Sequence, residues 1–219
     1  MVIRRLDQID IRILLRDAIP SHSSDAKMCA AVLFYKGDRI LTRSTATKYT
    51  TKHMTDLETH PIPDSVDPDD WSLRITGAIE RTHEYTRADM RALPLETFTQ
   101  DFECVEGWVA TGLDWRGVRV GDLLERAAPT TEGYGLVRSM DEGYACSFKL
   151  DRLRDAVIAV EVDGESLPVE HGGPARFVPT DEGRDCWESV KWVTEIQISE
   201  TEPVDADTAG EIALGSDDI

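Results

Sequence analysis

Short alternations of hydrophobic and polar residues run through most of the chain and predict β-strands separated by turns. Trp71, Leu73 and Ile75 alternate with polar residues, which is the period of a half-buried strand. The same pattern predicts further strands at residues 95–105, 136–140, 144–148, 156–162 and 190–198. Asp163-Gly164, directly after one of these stretches, is a dipeptide typical of a β-hairpin turn.

Helical signals are fewer and shorter. Thr86 followed by Asp89 at the third helical position predicts a capped helix start, and the helix should end before Pro94. A second helix is predicted over residues 120–127, and a single helical turn over residues 151–154. Many short strands with few helices predict an α+β fold.

Composition divides the chain into three stretches. Residues 1–53 contain ten Lys and Arg against five Asp, net +5, whereas residues 54–219 contain 14 against 37 acidic residues, net -23. We predict a basic N-terminal extension over 1–53, one folded domain over 54–199 and an acidic disordered tail over 200–219. Two interpretations of the extension remain open: it docks on the acidic body, or it is foreign to the natural protein, which then starts at Met54. We favour the second.

The formal net charge of -18 argues against nucleic acid as a partner, because there is no basic field to neutralise phosphates. No apolar run has the length of a membrane span, and we find no secretory signal, so we expect a cytoplasmic protein. After Met54 the chain has two lysines, Lys149 and Lys191, against twelve arginines. Few lysines among many carboxylates favour a halophilic source, where concentrated salt screens the self-repulsion.

One cysteine stands out as a candidate metal ligand. Cys104 lies at the end of an alternating run, shortly before Gly107 and Trp108. A thiolate is the ligand that soft metals prefer, and the remaining coordination would come from an organic cofactor or distant residues. No C-x-x-C pair occurs, which argues against zinc-ribbon and thioredoxin-like sites. The alternative for every cysteine is a small buried hydrophobic residue; the others are Cys29, Cys146 and Cys186.

A second group of candidates surrounds a glycine pair in the second half of the chain. Gly172-Gly173 before Pro174 predicts a rigid turn where backbone can approach a ligand closely. Arg176 follows, with a planar fork suited to phosphate, and Lys191 adds a second cation. The alternative is that both cations pair with the plentiful carboxylates.

Seven motifs follow one another in the order of a known family. They are Cys104-Val105-Glu106-Gly107-Trp108, Trp115-Arg116-Gly117-Val118, Asp122-Leu123-Leu124, Gly143-Tyr144, Gly164-Glu165-Ser166-Leu167-Pro168, His171-Gly172-Gly173-Pro174-Ala175-Arg176 and Val190-Lys191-Trp192. Over about residues 60–198 the chain resembles the molybdopterin-binding domain of the sulfite oxidase family. The C-V-E-G-W form is most similar to the branch containing the periplasmic methionine sulfoxide reductase catalytic subunit.

The resemblance implies a sulfite oxidase-like fold of mixed sheets with few short helices, and a molybdenum-molybdopterin cofactor with one pterin dithiolene. It implies that Cys104 is the protein's sulfur ligand to molybdenum. It also implies that His171, Arg176 and Lys191 hold the pterin and its phosphate. His60 matches a further family position near the pterin, and its alternative is an ordinary surface residue.

Two departures from the family pattern concern the substrate. Sulfite oxidases carry an arginine soon after the ligand cysteine, where this chain has Gly107, and another before the histidine, where it has Glu58. Because an anionic substrate needs cations, these departures argue against sulfite. We expect oxygen-atom transfer to or from a small-molecule substrate, with a separate electron-transfer protein because no haem domain is recognised. The alternative is a cofactor-binding or interaction domain without activity.

Overall fold

The computed structural model describes residues 59, 61–103, 109–141, 143–182, 184–203 and 208–209, together with the backbone of three two-residue strands nearer the N-terminus. The chain separates into two compact units, Met1–Ala46 and Thr47–Ile219. In the first unit, β1 (Phe34–Tyr35) and β2 (Ile40–Leu41) form an antiparallel pair. The second unit contains two larger sheets.

The first of these sheets is organised around one long strand. Its six strands are β3 (Thr51–Lys52), β6 (Glu96–Glu103), β7 (Val109–Arg119), β10 (Val157–Val162), β11 (Glu165–Ser166) and β12 (Arg176–Val178). The central β7 pairs antiparallel with β6 and β10, and parallel with β3 at its start. Both β11 and β12 pair with β10. The sheet therefore brings β12 close to β7 through a single intervening strand.

The second sheet is mixed. Its strands are β4 (Ser72–Gly77), β5 (His83–Thr86), β8 (Tyr134–Ser139), β9 (Ala145–Lys149) and β13 (Val193–Ser199). The spatial order is β5-β4-β13-β8-β9. Only the β4–β13 contact is parallel. Chain segments distant in sequence thus become neighbours at β13, which follows the Val190-Lys191-Trp192 motif.

Three short helices are described: α1 (Arg87–Ala92), α2 (Val120–Ala127) and α3 (Leu150–Asp155). The predicted cap of α1 is confirmed, since the Thr86 hydroxyl accepts from the Asp89 amide and the Asp89 carboxylate accepts from the Thr86 amide. Helix α2 buries Leu123 and Leu124 completely, as expected. Three 3₁₀ turns complete the set: Pro68–Asp70, Val169–His171 and Cys186–Glu188.

The first sheet is buried on both faces at strand β10. On one face, Val118 and Ile158 join the large core formed with the second sheet and the helices. On the other face, Leu113, Trp115 and Val178 form a separate cluster against Phe98 and Phe102. Burial on both faces explains why β10 is almost continuously apolar, as expected for a doubly covered strand.

One family motif is explained by packing alone. A side chain at Gly117 would place its Cβ 2.1 Å from the backbone oxygen of Ile158. Glycine is therefore required where β7 and β10 approach each other. The hairpin predicted at Asp163-Gly164 is also confirmed: these residues have φ angles of 52° and 81° and join β10 to β11.

The α+β class with mixed sheets and few short helices is confirmed, but two expectations differ from the structure. The last strand begins at Val193 rather than at residue 190, because Trp192 has a φ of 50° and interrupts extended backbone. The eleven-residue β7 and the short β12 were missed. After β13, Ala209 is fully buried in the large core.

The predicted division into 1–53, 54–199 and 200–219 stays a prediction. Within the second unit, the backbone of Thr51–Lys52 pairs with Val109 and Ala110.

No helix among the described residues is long and apolar enough to cross a membrane.

Candidate functional site

The segment that carries His171 and Arg176 lies beside the segment that carries Lys191, because backbone hydrogen bonds join the two. The Trp192 amide donates to the Gly172 carbonyl at 3.0 Å, and the Val193 amide donates to the Ala175 carbonyl at 3.1 Å. A third bond, from the Phe177 amide to the Val190 carbonyl, measures 2.9 Å. His171, Arg176 and Lys191 are thereby carried on adjacent stretches of backbone.

The glycine pair makes this close approach possible. Gly172 has a φ of +99°, and a Cβ there would lie 2.9 Å from Cγ of Lys191. A Cβ at Gly173 would lie 2.0 Å from the carbonyl oxygen of Leu167. The predicted approach of a ligand to this turn stays a prediction, and the close contacts of both glycines are with neighbouring segments of the protein. Both positions therefore require glycine for packing.

Arg176 is the most deeply buried cation of the site, with 5% exposure. Its Nε donates to the Ser189 hydroxyl at 2.9 Å, and its Nη1 donates to the His171 carbonyl at 3.2 Å. These two bonds fix the plane of the guanidinium, because they engage two different nitrogens of a rigid fork.

Aromatic rings flank the same guanidinium. Its Cζ lies 4.7 Å from the ring centroid of Phe102 and 5.8 Å from that of Trp115, distances at which a cation is attracted to the ring face. The Trp115 indole N–H is buried and has no hydrogen-bond partner among the described residues. A buried N–H without a protein partner is uncommon, and this one lies beside the buried cation.

His171 ends a 3₁₀ turn and is 7% exposed. Burial lowers the pKa of its imidazole, and the positive charges of Lys191 and Arg176 lower it further, while Glu170 opposes them. A lowered pKa keeps the ring neutral at pH 7, so that one ring nitrogen can donate and the other can accept a hydrogen bond.

Lys191 is half-buried beside these groups. Its Nζ donates to the Glu170 carbonyl at 3.2 Å and lies 5.5 Å from the ring centroid of Trp192. The Trp192 indole in turn donates to the Val169 carbonyl at 2.7 Å. The turn of residues 169–171 therefore anchors both Lys191 and the tryptophan that follows it.

Two predicted site residues, Cys104 and His60, lie outside the described residues. Strand β6 is described up to Glu103, which pairs with Val109. Phe102, two positions before Cys104 in the sequence, has its ring centroid 4.7 Å from the Arg176 guanidinium. The strand that leads to Cys104 therefore ends, as far as it is described, against Arg176.

Two further hydrogen bonds tie that strand to the segment after β12. The Gln100 side-chain amide donates to the Pro179 carbonyl at 3.1 Å. The Arg184 guanidinium donates to the Asp101 carbonyl at 2.8 Å. These bonds hold the end of β6 in register with the chain that carries Arg176.

The structure thus brings together His171, Arg176 and Lys191, and their roles stay predictions. Sequence reasoning missed Ser189 and the two rings beside Arg176. The only signal for Ser189 in the sequence was the presence of a serine directly before the Val190-Lys191-Trp192 motif. Among the described residues, no group of three or more His, Cys, Asp or Glu side chains could hold a metal ion.

A family model described as the oxidoreductase molybdopterin binding domain matches residues 59–206. The chain is 30% identical over 145 residues to the uncharacterized oxidoreductase YuiH of Bacillus subtilis, covering 65% of this chain and 72% of that protein. It is 26% identical over 152 residues to the protein-methionine-sulfoxide reductase catalytic subunit MsrP of Xanthomonas campestris, covering 61% and 46%.

Two further proteins match the chain. The chain is 27% identical over 176 residues to nitrate reductase [NADH] 2 of Phaseolus vulgaris, covering 65% of this chain and 19% of that enzyme. The solved structure of the sulfane dehydrogenase SoxCD from Paracoccus pantotrophus matches with a TM-score of 0.56 and 26% identity, covering 63% of this chain and 40% of that chain. The chain spans about half the length of MsrP, and less than half the length of the nitrate reductase and of the SoxCD chain.

Proposed function

Because the chain belongs to the oxidoreductase molybdopterin-binding domain family, we propose that it acts as a molybdenum-dependent oxidoreductase that transfers an oxygen atom to or from a small molecule. The family and the fold predicted from the seven motifs are confirmed. The alternative of a domain without activity is not favoured, because its relatives are named oxidoreductases and reductases.

The described side chains fit such a cofactor. Arg176 and Lys191 place two positive charges on neighbouring backbone, as an anionic phosphate requires. The neutral imidazole of His171 can both donate to and accept from a heterocycle edge. The buried Trp115 indole N–H, which has no partner in the described part of the chain, is what we expect beside a bound polar group.

The molybdenum–pterin group, when bound, supplies two-electron oxygen-atom transfer. We propose that Cys104 ligates the metal, which would keep its thiol deprotonated, and that His60 contacts the pterin. Arg176 and Lys191 would counter the phosphate, while His171 would orient the ring system. One observation carries the proposal: the Arg176 guanidinium packs 4.7 Å from Phe102, at the end of the strand that leads to Cys104.

The substrate is proposed to be uncharged, such as a sulfoxide or an N-oxide. Gly107 and Glu58 stand where sulfite oxidases have arginines. Moving an anion out of water without compensating cations is costly. An uncharged oxide avoids that cost and still presents an oxygen atom for transfer.

Metal analysis tests the first step, and reduction of sulfoxides or N-oxides with an artificial electron donor tests the second. We expect Cys104→Ser to keep pterin but to lose activity by more than about a hundredfold, beyond the roughly 10–100-fold typical of residues outside the first coordination shell. The matched control is Cys186→Ser, a half-buried thiol in a 3₁₀ turn. Retained activity in Cys104→Ser would refute the ligand assignment.

Electrons are proposed to pass to or from a separate protein in the cytoplasm of a salt-adapted organism. The relative MsrP is named as a catalytic subunit, which is consistent with a second component. The net charge of -18 would favour a basic partner through long-range attraction. The rate of electron exchange with candidate partner proteins should depend on ionic strength, and measuring that dependence would test this arrangement.

A further inference from the structure

An ion-pair cluster behind the site holds the turn that carries Ser189. Two nitrogens of the Arg152 guanidinium donate to the two carboxylate oxygens of Glu188, at 2.6 Å and 2.8 Å. Its Nε donates to Asp181 at 3.1 Å. A two-pronged arginine–carboxylate pair is geometrically specific as well as strong, so it fixes where Glu188 lies relative to helix α3.

Glu188 also caps the turn to which it belongs. Its carboxylate accepts from the Asp185 amide at 2.8 Å, and the 3₁₀ turn Cys186–Glu188 follows directly. The Ser189 amide then donates to the Cys186 carbonyl at 3.2 Å. The position of Ser189 is therefore set by a turn whose carboxylate is held by Arg152.

The Ser189 hydroxyl makes two hydrogen bonds, one as donor and one as acceptor. It donates to the Phe177 carbonyl at 3.2 Å and accepts from Nε of Arg176 at 2.9 Å. The residue is 6% exposed, so water is a poor competitor for either bond. Because the proton points to Phe177, a lone pair is directed at Arg176.

A second, apolar path connects the same two arginines. The Arg152 guanidinium lies 5.1 Å from the ring centroid of Phe148. That ring packs against Phe177, with centroids 4.9 Å apart, and Phe177 is the direct neighbour of Arg176 in β12. Polar and aromatic contacts therefore lead from the surface pair to the buried cation.

We propose that Arg152 and Glu188 are positioning residues, which fix the Ser189 hydroxyl and thereby the direction of the Arg176 guanidinium. An arginine side chain has many rotamers, and its fork recognises an anion only when its plane is fixed. Residues that orient a binding group from behind typically change affinity 10–100-fold when removed. The identity of the anion, a pterin phosphate, rests on the proposed function.

The first readout needs no cofactor. A hydrogen-bonded Arg Nε proton in the interior exchanges slowly with water, so the Arg176 Nε–H signal can be followed by NMR and assigned with Arg176→Lys. We expect Ser189→Ala to accelerate its exchange roughly tenfold or more, as expected for the loss of a charge-assisted hydrogen bond. Arg152→Ala should accelerate it by a smaller factor, because Ser189 remains but its turn is freed.

The matched control is Arg116→Ala, which removes another arginine–carboxylate pair, Arg116–Glu161 at 2.7 Å. The Arg176 signal should not change in this variant. Glu188→Gln keeps an oxygen for the Asp185 amide and should act like Arg152→Ala, whereas Arg152→Lys should restore part of the protection. Unchanged exchange in Arg152→Ala and Glu188→Gln, or equal acceleration in Arg116→Ala, would overturn the proposal.

The second readout is the pterin and molybdenum content of each purified variant. We expect Ser189→Ala to retain roughly a tenth or less of the wild-type content and Arg152→Ala an intermediate amount. Wild-type protein without molybdenum would refute the proposed function, while the exchange measurement would still decide the positioning role. A loaded wild type with unchanged exchange in Arg152→Ala would refute the positioning role alone.

Discussion

Arginines occupy two contrasting environments in this protein. On the outer face of the second sheet, Arg74 and Arg138 flank Glu195 at 3.6 Å and 3.8 Å, with side chains 54% and 45% exposed. In the site, Arg176 is 5% exposed between Phe102 and Trp115. Exposed pairs contribute about 0–1 kcal/mol to stability, whereas desolvating a charge costs several kcal/mol.

The difference in burial distinguishes arginines that stay hydrated at the surface from an arginine placed to bind a ligand. Arg74 and Arg138 remain hydrated, so either can be changed at little cost. Arg176 is placed where an apolar side chain would pack more favourably. A protein that keeps a cation in such a place gives up stability, and binding an anion there is the reason that we propose.

Substituting methionine for one arginine of each kind tests most directly whether the buried and the exposed arginines have different roles. We expect Arg176→Met to lose cofactor roughly tenfold or more while stability stays equal or rises, because replacing a buried charge by an apolar group is often neutral or stabilising by about 1–4 kcal/mol. Arg74→Met, the exposed control, should change neither property by much. Metal analysis and urea denaturation measure both. Full molybdenum content in Arg176→Met would contradict the assigned role.

A smaller effect is expected from the two lysines of the acidic body. Lys191→Gln should lower cofactor content several-fold, about the loss expected when one charge-assisted bond to phosphate becomes neutral. Lys149→Gln is the control, because Lys149 is exposed at the end of β9. Equal molybdenum contents in the two variants would show that Lys191 does not contact the cofactor.

The pH dependence of the free energy of unfolding tests whether His171 is buried in its neutral form. Burial lowers its pKa in the folded protein, so the unfolded chain binds the proton first as pH falls. The free energy of unfolding should therefore decrease as pH drops below about 6.5, the value in unfolded chains. Denaturation of the cofactor-free protein at several pH values should show a shallower loss in His171→Gln than in wild type or His83→Gln. Identical slopes in all three would exclude this contribution.

The smallest effect concerns the surface. Raising salt from roughly 0.1 M to roughly 1 M shortens the screening length from about 10 Å to about 3 Å. Because the net charge is -18, we expect the melting temperature to rise, and the increment should be the same in Arg176→Met. A melting temperature that ignores salt would argue against a halophilic source.

Local signals in the sequence predicted much of the fold. Thr86 and Asp89 predicted the cap of α1, and Asp163-Gly164 predicted the β10–β11 hairpin, because both depend on neighbours within a few residues. Strand β7 was missed because only Leu113–Arg116 alternate clearly between buried and exposed positions. Glycines at 112 and 117 interrupt the pattern, and glycine is depleted in strands. The start of β13 was misplaced because the left-handed φ of Trp192 is set by packing against the segment of Gly172.

The candidate site was predictable only in part, for a similar reason. His171, Arg176 and Lys191 stand in recognisable motifs, and the backbone bonds between those motifs bring them together. The part played by Ser189 could not be predicted, because it depends on Glu188 and on the distant Arg152. Such a relation appears only when helix α3 and the last 3₁₀ turn are placed in space.

Residue Thr208 carries a consequence for protein engineering. Strand β9 is the last strand of its described sheet, and the Thr208 hydroxyl accepts from the Ala145 amide at the beginning of that strand. Trimming the chain before this threonine would free the Ala145 amide on the edge strand, and unpaired groups on a sheet edge are a template for pairing with another copy. We therefore expect a shortened protein to aggregate on concentration, although everything removed lies beyond the last strand.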